Sequence, residues 1–205
     1  MDPHRSARVA GWLYLLTFVT SIPALALKQP FLDGGGSATA ARWAVVLEIV
    51  LAVACVGTAI ALLPVLRPAE HLLGLGFVAS RTVEAALVMI GAGALWALTR
   101  TDPATGDALA ALHDAAFLLG PGLLPAVNAA LLATALWRGR LVPRAIPLLG
   151  LVGAPLLLGS TTASLLGGLD QVSATAGLLA LPIGLWELSL GVWLATRGVR
   201  PTQSS

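Results

Sequence analysis

LLGLGFVASRTVEAALVMIGAGALWAL, residues 72–98, carries no charge except Arg81 and Glu84 near its middle. Roughly 20 apolar residues rising 1.5 Å each cross a hydrocarbon layer of about 30 Å, so this stretch predicts a membrane-spanning helix. Arg81 and Glu84, three residues apart, fall on one face of it. A charge at bilayer depth costs about 2.5–3.5 kcal/mol on insertion scales, so such residues face the protein interior and find partners there. The stretch specifies an integral membrane bundle with a polar site inside it and leaves the substrate unnamed.

The rest of the chain agrees with that reading. Of 205 residues 57% are apolar and only 11% charged, with a mean hydropathy of +0.88, which excludes a soluble domain with one core. The formal net charge is +2. Its basic residues sit in short loops and tails, form no continuous stripe, and therefore point to membrane topology and not to nucleic acid. The one cysteine, Cys55, lies in an apolar run, so no disulfide framework or cysteine metal cluster is expected. Eleven arginines against one lysine, with abundant Ala, Leu and Gly, fit a bacterial protein from a GC-rich genome.

Six apolar segments follow one another, at about 9–27, 43–66, 72–98, 108–137, 145–166 and 174–196, in a single membrane domain over 1–205. The first follows a basic lead, MDPHRSAR, and could imitate a signal peptide. It is long for a signal core and carries Tyr14, Thr17 and Ser21 at helical spacing, so it reads as a retained span kinked by Pro23. Residues 28–42, with Gly34, Gly35 and Gly36, read as a flexible loop. A tight loop, RPAEH at 67–71, joins the second and third spans, and Asp102, Pro103 and Gly106 mark a turn after the third. In the fourth, Gly120, Pro121, Gly122 and Pro125 interrupt the backbone ladder near mid-membrane. The tail RGVRPTQSS reads as polar and disordered.

An even number of spans puts both termini on one side. That side holds Arg5, Arg8, Arg67, Arg138, Arg140, Arg144, Arg197 and Arg200 against Lys28, Arg42 and Arg100 on the other, and eight against three makes the termini cytoplasmic. Each three-span half has a glutamate in its third span, Glu84 and Glu187, the pattern an inverted repeat would give. Trp12, Trp43, Trp96, Trp137 and Trp193 lie near span ends and read as an interface belt.

Placed from span midpoints at about 1.5 Å per residue, the polar groups fall into two layers. Tyr14, Arg81, Glu84, Asn128 and Glu187 lie between the centre and about 9 Å to its cytoplasmic side, whereas Glu48, His113 and Asp114 lie nearer the outer face. The expected site is a pocket among the second, third, fourth and sixth spans that binds or transports a small molecule or lipid. Arg81, which cannot deprotonate, would hold an anionic group. Glu84 and Glu187 would balance charge or exchange protons, Asn128 and Tyr14 would hydrogen-bond, and Trp186 would line the site.

Two other classes remain open. A lipid-modifying enzyme would use His113 as acid or base, oriented by Asp114 or Glu48, and requires those three groups to converge. A structural or regulatory subunit would use Arg81, Glu84 and Glu187 only to lock helices, with no cavity. A placement of His113 and Asp114 in an interfacial first turn competes with the enzymatic one. No metal is read from the sequence, since only His4, His71 and His113 are available and a site needs three or four convergent ligands. Nor does it name a cofactor, a partner beyond the bilayer and that ligand, or an oligomeric state. No G-x-S-x-G nucleophile motif is present.

Five stretches together carry a resemblance: AGWLYLLTFVTSIPALAL (10–27), SRTVEAAL (80–87), LHDAAFLLGPGLLPAVNAALL (112–132), LVPRAIPLLGLVGAP (141–155) and LPIGLWELSLGVWL (181–194). The chain resembles a bacterial family of roughly 200-residue integral membrane proteins catalogued as a domain of unknown function. The resemblance implies six helices in a bacterial plasma membrane, and it assigns no activity and no site residue.

Overall fold

The computed structural model describes residues 2–66 and 70–200. Arg67, which entered the topology count and the RPAEH loop, and residues 201–205 of the tail lie outside the described residues. Among the described residues every regular element is a helix: α1 (Pro3–Leu32), α2 (Ala38–Leu66), α3 (His71–Leu98), α4 (Pro103–Leu119), α5 (Leu124–Gly139), α6 (Ala145–Leu165) and α7 (Ala174–Arg197). Six helical stretches are long and apolar enough to cross a membrane, with α4 and α5 as the two halves of the fourth. The chain is an all-helical, multi-pass membrane protein.

Local chemistry sets the helix ends. Asp2 caps α1 by accepting from the His4 amide, Asp102 caps α4 through the Thr105 amide, and Ser173 caps α7 through the Ala176 amide. Pro3 and Pro103 occupy first-turn positions, where a missing N–H costs nothing. Two boundaries differ from the sequence reading. Helix α1 runs through Lys28 to Leu32, and α2 begins at Ala38, so the expected loop over 28–42 shrinks to residues 33–37. The physical reason is that Lys28 is neutralised inside the bundle and does not have to leave it. Gly34, at φ +84°, supplies the left-handed turn that ends α1. The fourth span also starts earlier than 108, at Pro103, and breaks over 120–123 where Gly120, Pro121 and Gly122 cannot continue a helix.

Neighbours in sequence are neighbours in space. Helix α1 packs on α2, α2 on α3, α3 on both α4 and α5, α5 on α6 and α6 on α7, and α7 returns to α1 to close a ring. Small residues permit the closure. A side chain at Gly11 would overlap the backbone of Ala195, and Gly191 faces the Tyr14 Cβ, so α1 and α7 cross almost backbone to backbone. Arg8 Nε donates to the Ala195 carbonyl at 3.2 Å, and the Arg200 amide donates to the Leu141 carbonyl at 2.9 Å. We call this the terminal side, and the opposite one the far side.

The exterior is as apolar as the interior. In five of the six spans only 33% of the most apolar window is buried, and Val19, Val53, Ile60 and Leu178 are each 60% or more exposed. Such a surface is stable only against lipid. Trp12, Trp43 and Trp96 lie on that surface, as interface residues do.

Candidate functional site

Two polar clusters lie inside the ring. The inner one gathers residues from four helices. Arg81 of α3 is 2% exposed; its Nη1 donates to Glu84 Oε2 at 2.8 Å and stands 3.6 Å from Glu187 Oε1 of α7. Asn128 of α5 donates from Nδ2 to the same Glu84 oxygen at 2.6 Å, and the guanidinium carbon lies 5.2 Å from the centre of the Tyr14 ring of α1. The five residues placed by sequence in the inner layer are thus in one cluster. Trp186 is buried beside them in sequence, yet its indole fills the space left by Gly150 of α6, where a Cβ would lie 2.7 Å from the ring.

The cluster is nearly saturated. Arg81 touches two carboxylates, and only Arg81 Nε and Asn128 Oδ1 among its polar atoms are buried without a partner.

The outer cluster contains a residue that sequence reasoning missed. Glu48 stands ten residues into α2, about 15 Å from its first residue. At that depth it is 6% exposed and needs a cation. Lys28 supplies it: Nζ donates to Glu48 Oε1 at 2.5 Å and lies 4.2 Å from the centre of the Phe117 ring of α4. The signal was present, because a carboxylate inside a span demands a partner and Lys28 is the nearest cation on the preceding helix. The second oxygen, Glu48 Oε2, is buried with no hydrogen-bond partner.

His113 lies 10 residues into α4, well past the first turn, and not in the interfacial position considered from sequence. Its Nδ1 bonds the Gly91 carbonyl at 2.9 Å, and its ring stacks parallel to Phe117 with centroids 6.4 Å apart. A carbonyl can only accept, so Nδ1 carries the proton and Nε2 of the neutral ring is left as an acceptor. Asp114, on the next face, is exposed. Glu48 bonds Lys28 and His113 bonds Gly91; Glu48 shares the small cavity with His113 and Asp114 shares the wide one, but among the described residues neither carboxylate is hydrogen-bonded to the His113 ring. No group of three His, Cys, Asp or Glu side chains able to hold a metal occurs among those residues either.

Three cavities meet around Phe117, which lines each of them. A small one of about 50 Å³ is bounded by Lys28, Glu48, Val88, Gly91, His113 and Pro121. A wider one of about 330 Å³ continues past Lys28 and His113 toward the far side, between Gln29, Asp33, Asp114 and Asp170. A third, about 150 Å³, runs between the broken fourth span and the Ser160, Thr161 and Ser164 hydroxyls of α6. Helix α4 packs closely on α3, while α6 packs on α5 and α7, which leaves this crevice beside α4. Thr161 Oγ1 donates to the Gly122 carbonyl at 2.6 Å and so satisfies part of the break. None of the three cavities is lined by Arg81, Glu84 or Glu187.

A family model described as a domain of unknown function, DUF4386, matches residues 9–198, which takes in all six spans. The chain belongs to the DUF4386 family. No curated protein and no solved structure matches it. For this DUF4386 protein the chemistry of the site is therefore carried by its own residues: an inner cluster that lines none of the three cavities, and an outer cluster that borders them and contains an acceptor without a donor.

Proposed function

We propose that this DUF4386 protein is a small-molecule-binding membrane protein whose ligand enters from the far side and lodges among Lys28, Glu48, His113 and Phe117. The observation that carries this reading is Glu48, which lines a cavity while its buried Oε2 lacks a donor. Buried acceptors are almost always satisfied, so a partner from outside the chain is called for. The fourth span supports it too: helices broken near mid-membrane border the substrate sites of many transporters, and Pro121 of this break lines two of the cavities. Leu87 and Val88 line the small cavity and Glu84 and Arg81 follow along α3, so transport would carry the ligand from the outer cluster toward the inner one.

A second reading has its own support. Arg81 paired with Glu84 and with Glu187 of α7, while Asn128 of α5 donates to Glu84, is the arrangement expected of a lock holding α3, α5 and α7 together. We assign that holding role to the inner cluster and ligand contact to the outer one.

The far side is, in this proposal, the extracytoplasmic one. Lys28 is buried against Glu48, which leaves Arg42 and Arg100 as its basic surface residues in the sequence count, against seven described arginines on the terminal side: Arg5, Arg8, Arg138, Arg140, Arg144, Arg197 and Arg200.

Native mass spectrometry of protein released from lipid nanodiscs tests the binding claim. A retained non-lipid adduct is expected in the wild type and in Arg81→Met, and its loss is expected in the double variant Lys28→Met/Glu48→Met. An adduct lost only in Arg81→Met would move ligand contact to the inner cluster, and no adduct in any form would contradict binding.

A further inference from the structure

Resting on that cavity-binding reading, we infer that the ligand is a small organic cation with an ammonium group, and that the Lys28 ammonium occupies its place in the unliganded protein. The geometry around Lys28 Nζ is that of an ammonium receptor: a carboxylate oxygen at 2.5 Å on one side and the face of the Phe117 ring at 4.2 Å on the other. A tethered lysine uses only part of this receptor. Glu48 Oε2 stays without a donor, and His113, its Nδ1 committed to Gly91, offers an acceptor at Nε2. A free primary ammonium has three N–H donors and can serve Oε1, Oε2 and the imidazole together.

The charges around the cavities favour the same class. Lys28 is the single cation lining any of the three described cavities, whereas Glu48, Asp33, Asp114 and Asp170 are acids. An anion would have to draw Lys28 away and leave Glu48 buried without a counter-charge. An incoming ammonium leaves the pair count unchanged. Lys28 lines the wide cavity as well as the narrow one, and its flexible stem lets the displaced ammonium turn outward toward the exposed Asp33 and Asp114. The narrow cavity, about 50 Å³, suits an ammonium head, and the 330 Å³ space beyond it suits the body of the molecule.

The test uses n-butylammonium chloride as probe, with sodium butyrate and sodium chloride at the same ionic strength as controls, and reads the thermal unfolding of the full chain in nanodiscs. A saturable rise in Tm with butylammonium alone is expected in the wild type. Half-saturation should come at lower concentration in Lys28→Met, where the competing ammonium is gone. Glu48→Gln should raise it about tenfold or more, the scale of one charge-assisted hydrogen bond, and Lys28→Met/Glu48→Met, which keeps a matched pair of neutral side chains, should not respond. No rise in the wild type, an equal rise with butyrate, or an undiminished rise in the double variant would overturn the inference. A neutral or anionic adduct retained in native mass spectra, without a butylammonium response, would overturn the ligand class and leave the binding reading standing. Neither adduct nor response would overturn both.

Discussion

Lys28 and Glu48 form an ion pair between the last turns of α1 and the third turn of α2, with both side chains at least nine-tenths buried. The pair explains why α1 does not stop at Lys28, the charge that follows its apolar run, and it ties the first helical hairpin together on the far side. It also leaves one carboxylate oxygen over at the wall of a cavity, and an excess acceptor beside open space is what distinguishes a binding site from a simple clasp.

Breaking the pair from one side should be costly, and removing it whole should not. Lys28→Met and Glu48→Met are each expected to destabilise the bundle by about 3–5 kcal/mol, because each strands a buried charge, while the double variant should lie close to wild type. Unfolding in mixed micelles, treated as a double-mutant cycle, measures the coupling.

Much of this was legible beforehand. The six spans follow from apolar length alone, and the inner cluster from the depths of Tyr14, Arg81, Glu84, Asn128 and Glu187, since polar groups at one depth in a closed ring have only each other to meet. The outer cluster was half legible. Glu48 and His113 share a layer in the sequence and line one cavity in the structure, but Lys28 reads as the start of a loop, because a single-sequence reading ends a span at a charge and cannot see the partner that keeps it inside. Trp186 adjoins Glu187 in sequence but its indole packs against Gly150 of α6, since adjacent helix residues point in different directions. The cavities themselves depend on how far α4 stands from α1 and α2 on one side and from α6 and α7 on the other, which no spacing in the sequence encodes.

Asn128 reaches across from α5 to the Glu84 oxygen that Arg81 also holds. Asn128→Leu should cost about 1–2 kcal/mol, the upper range of hydrogen bonds between membrane helices. Ligand retention should survive the change if the inner cluster only holds helices. The same unfolding assay, paired with native mass spectrometry, gives both numbers.

Gly11 and Gly93 should respond oppositely to a methyl group. A Cβ at Gly11 would overlap the Ala195 backbone, whereas nothing stands within 4 Å of one at Gly93. Gly11→Ala is expected to spread the α1–α7 crossing at a cost of about 1–3 kcal/mol. Gly93→Ala should be neutral or stabilising by up to about 1 kcal/mol, the difference in helix propensity. Unfolding midpoints of the two variants make the comparison.

Topology has a simple readout in a Cys55→Ala background, since Cys55 is the one cysteine. Gly35→Cys, in the exposed turn between α1 and α2, should react with a membrane-impermeant maleimide in intact cells. Arg197→Cys, exposed at the end of α7, should react only after permeabilisation. The reverse pattern would place the cavity mouth in the cytoplasm.

The most direct measurement is a crystal structure grown from a lipidic mesophase and soaked with n-butylammonium chloride, examined in the space bounded by Lys28, Glu48, His113 and Phe117. The account predicts a compact feature within hydrogen-bond reach of Glu48 Oε2 that neither protein nor acyl chain explains. A space closed by its own side chains, or filled by an acyl chain continuous with the bilayer, would contradict it.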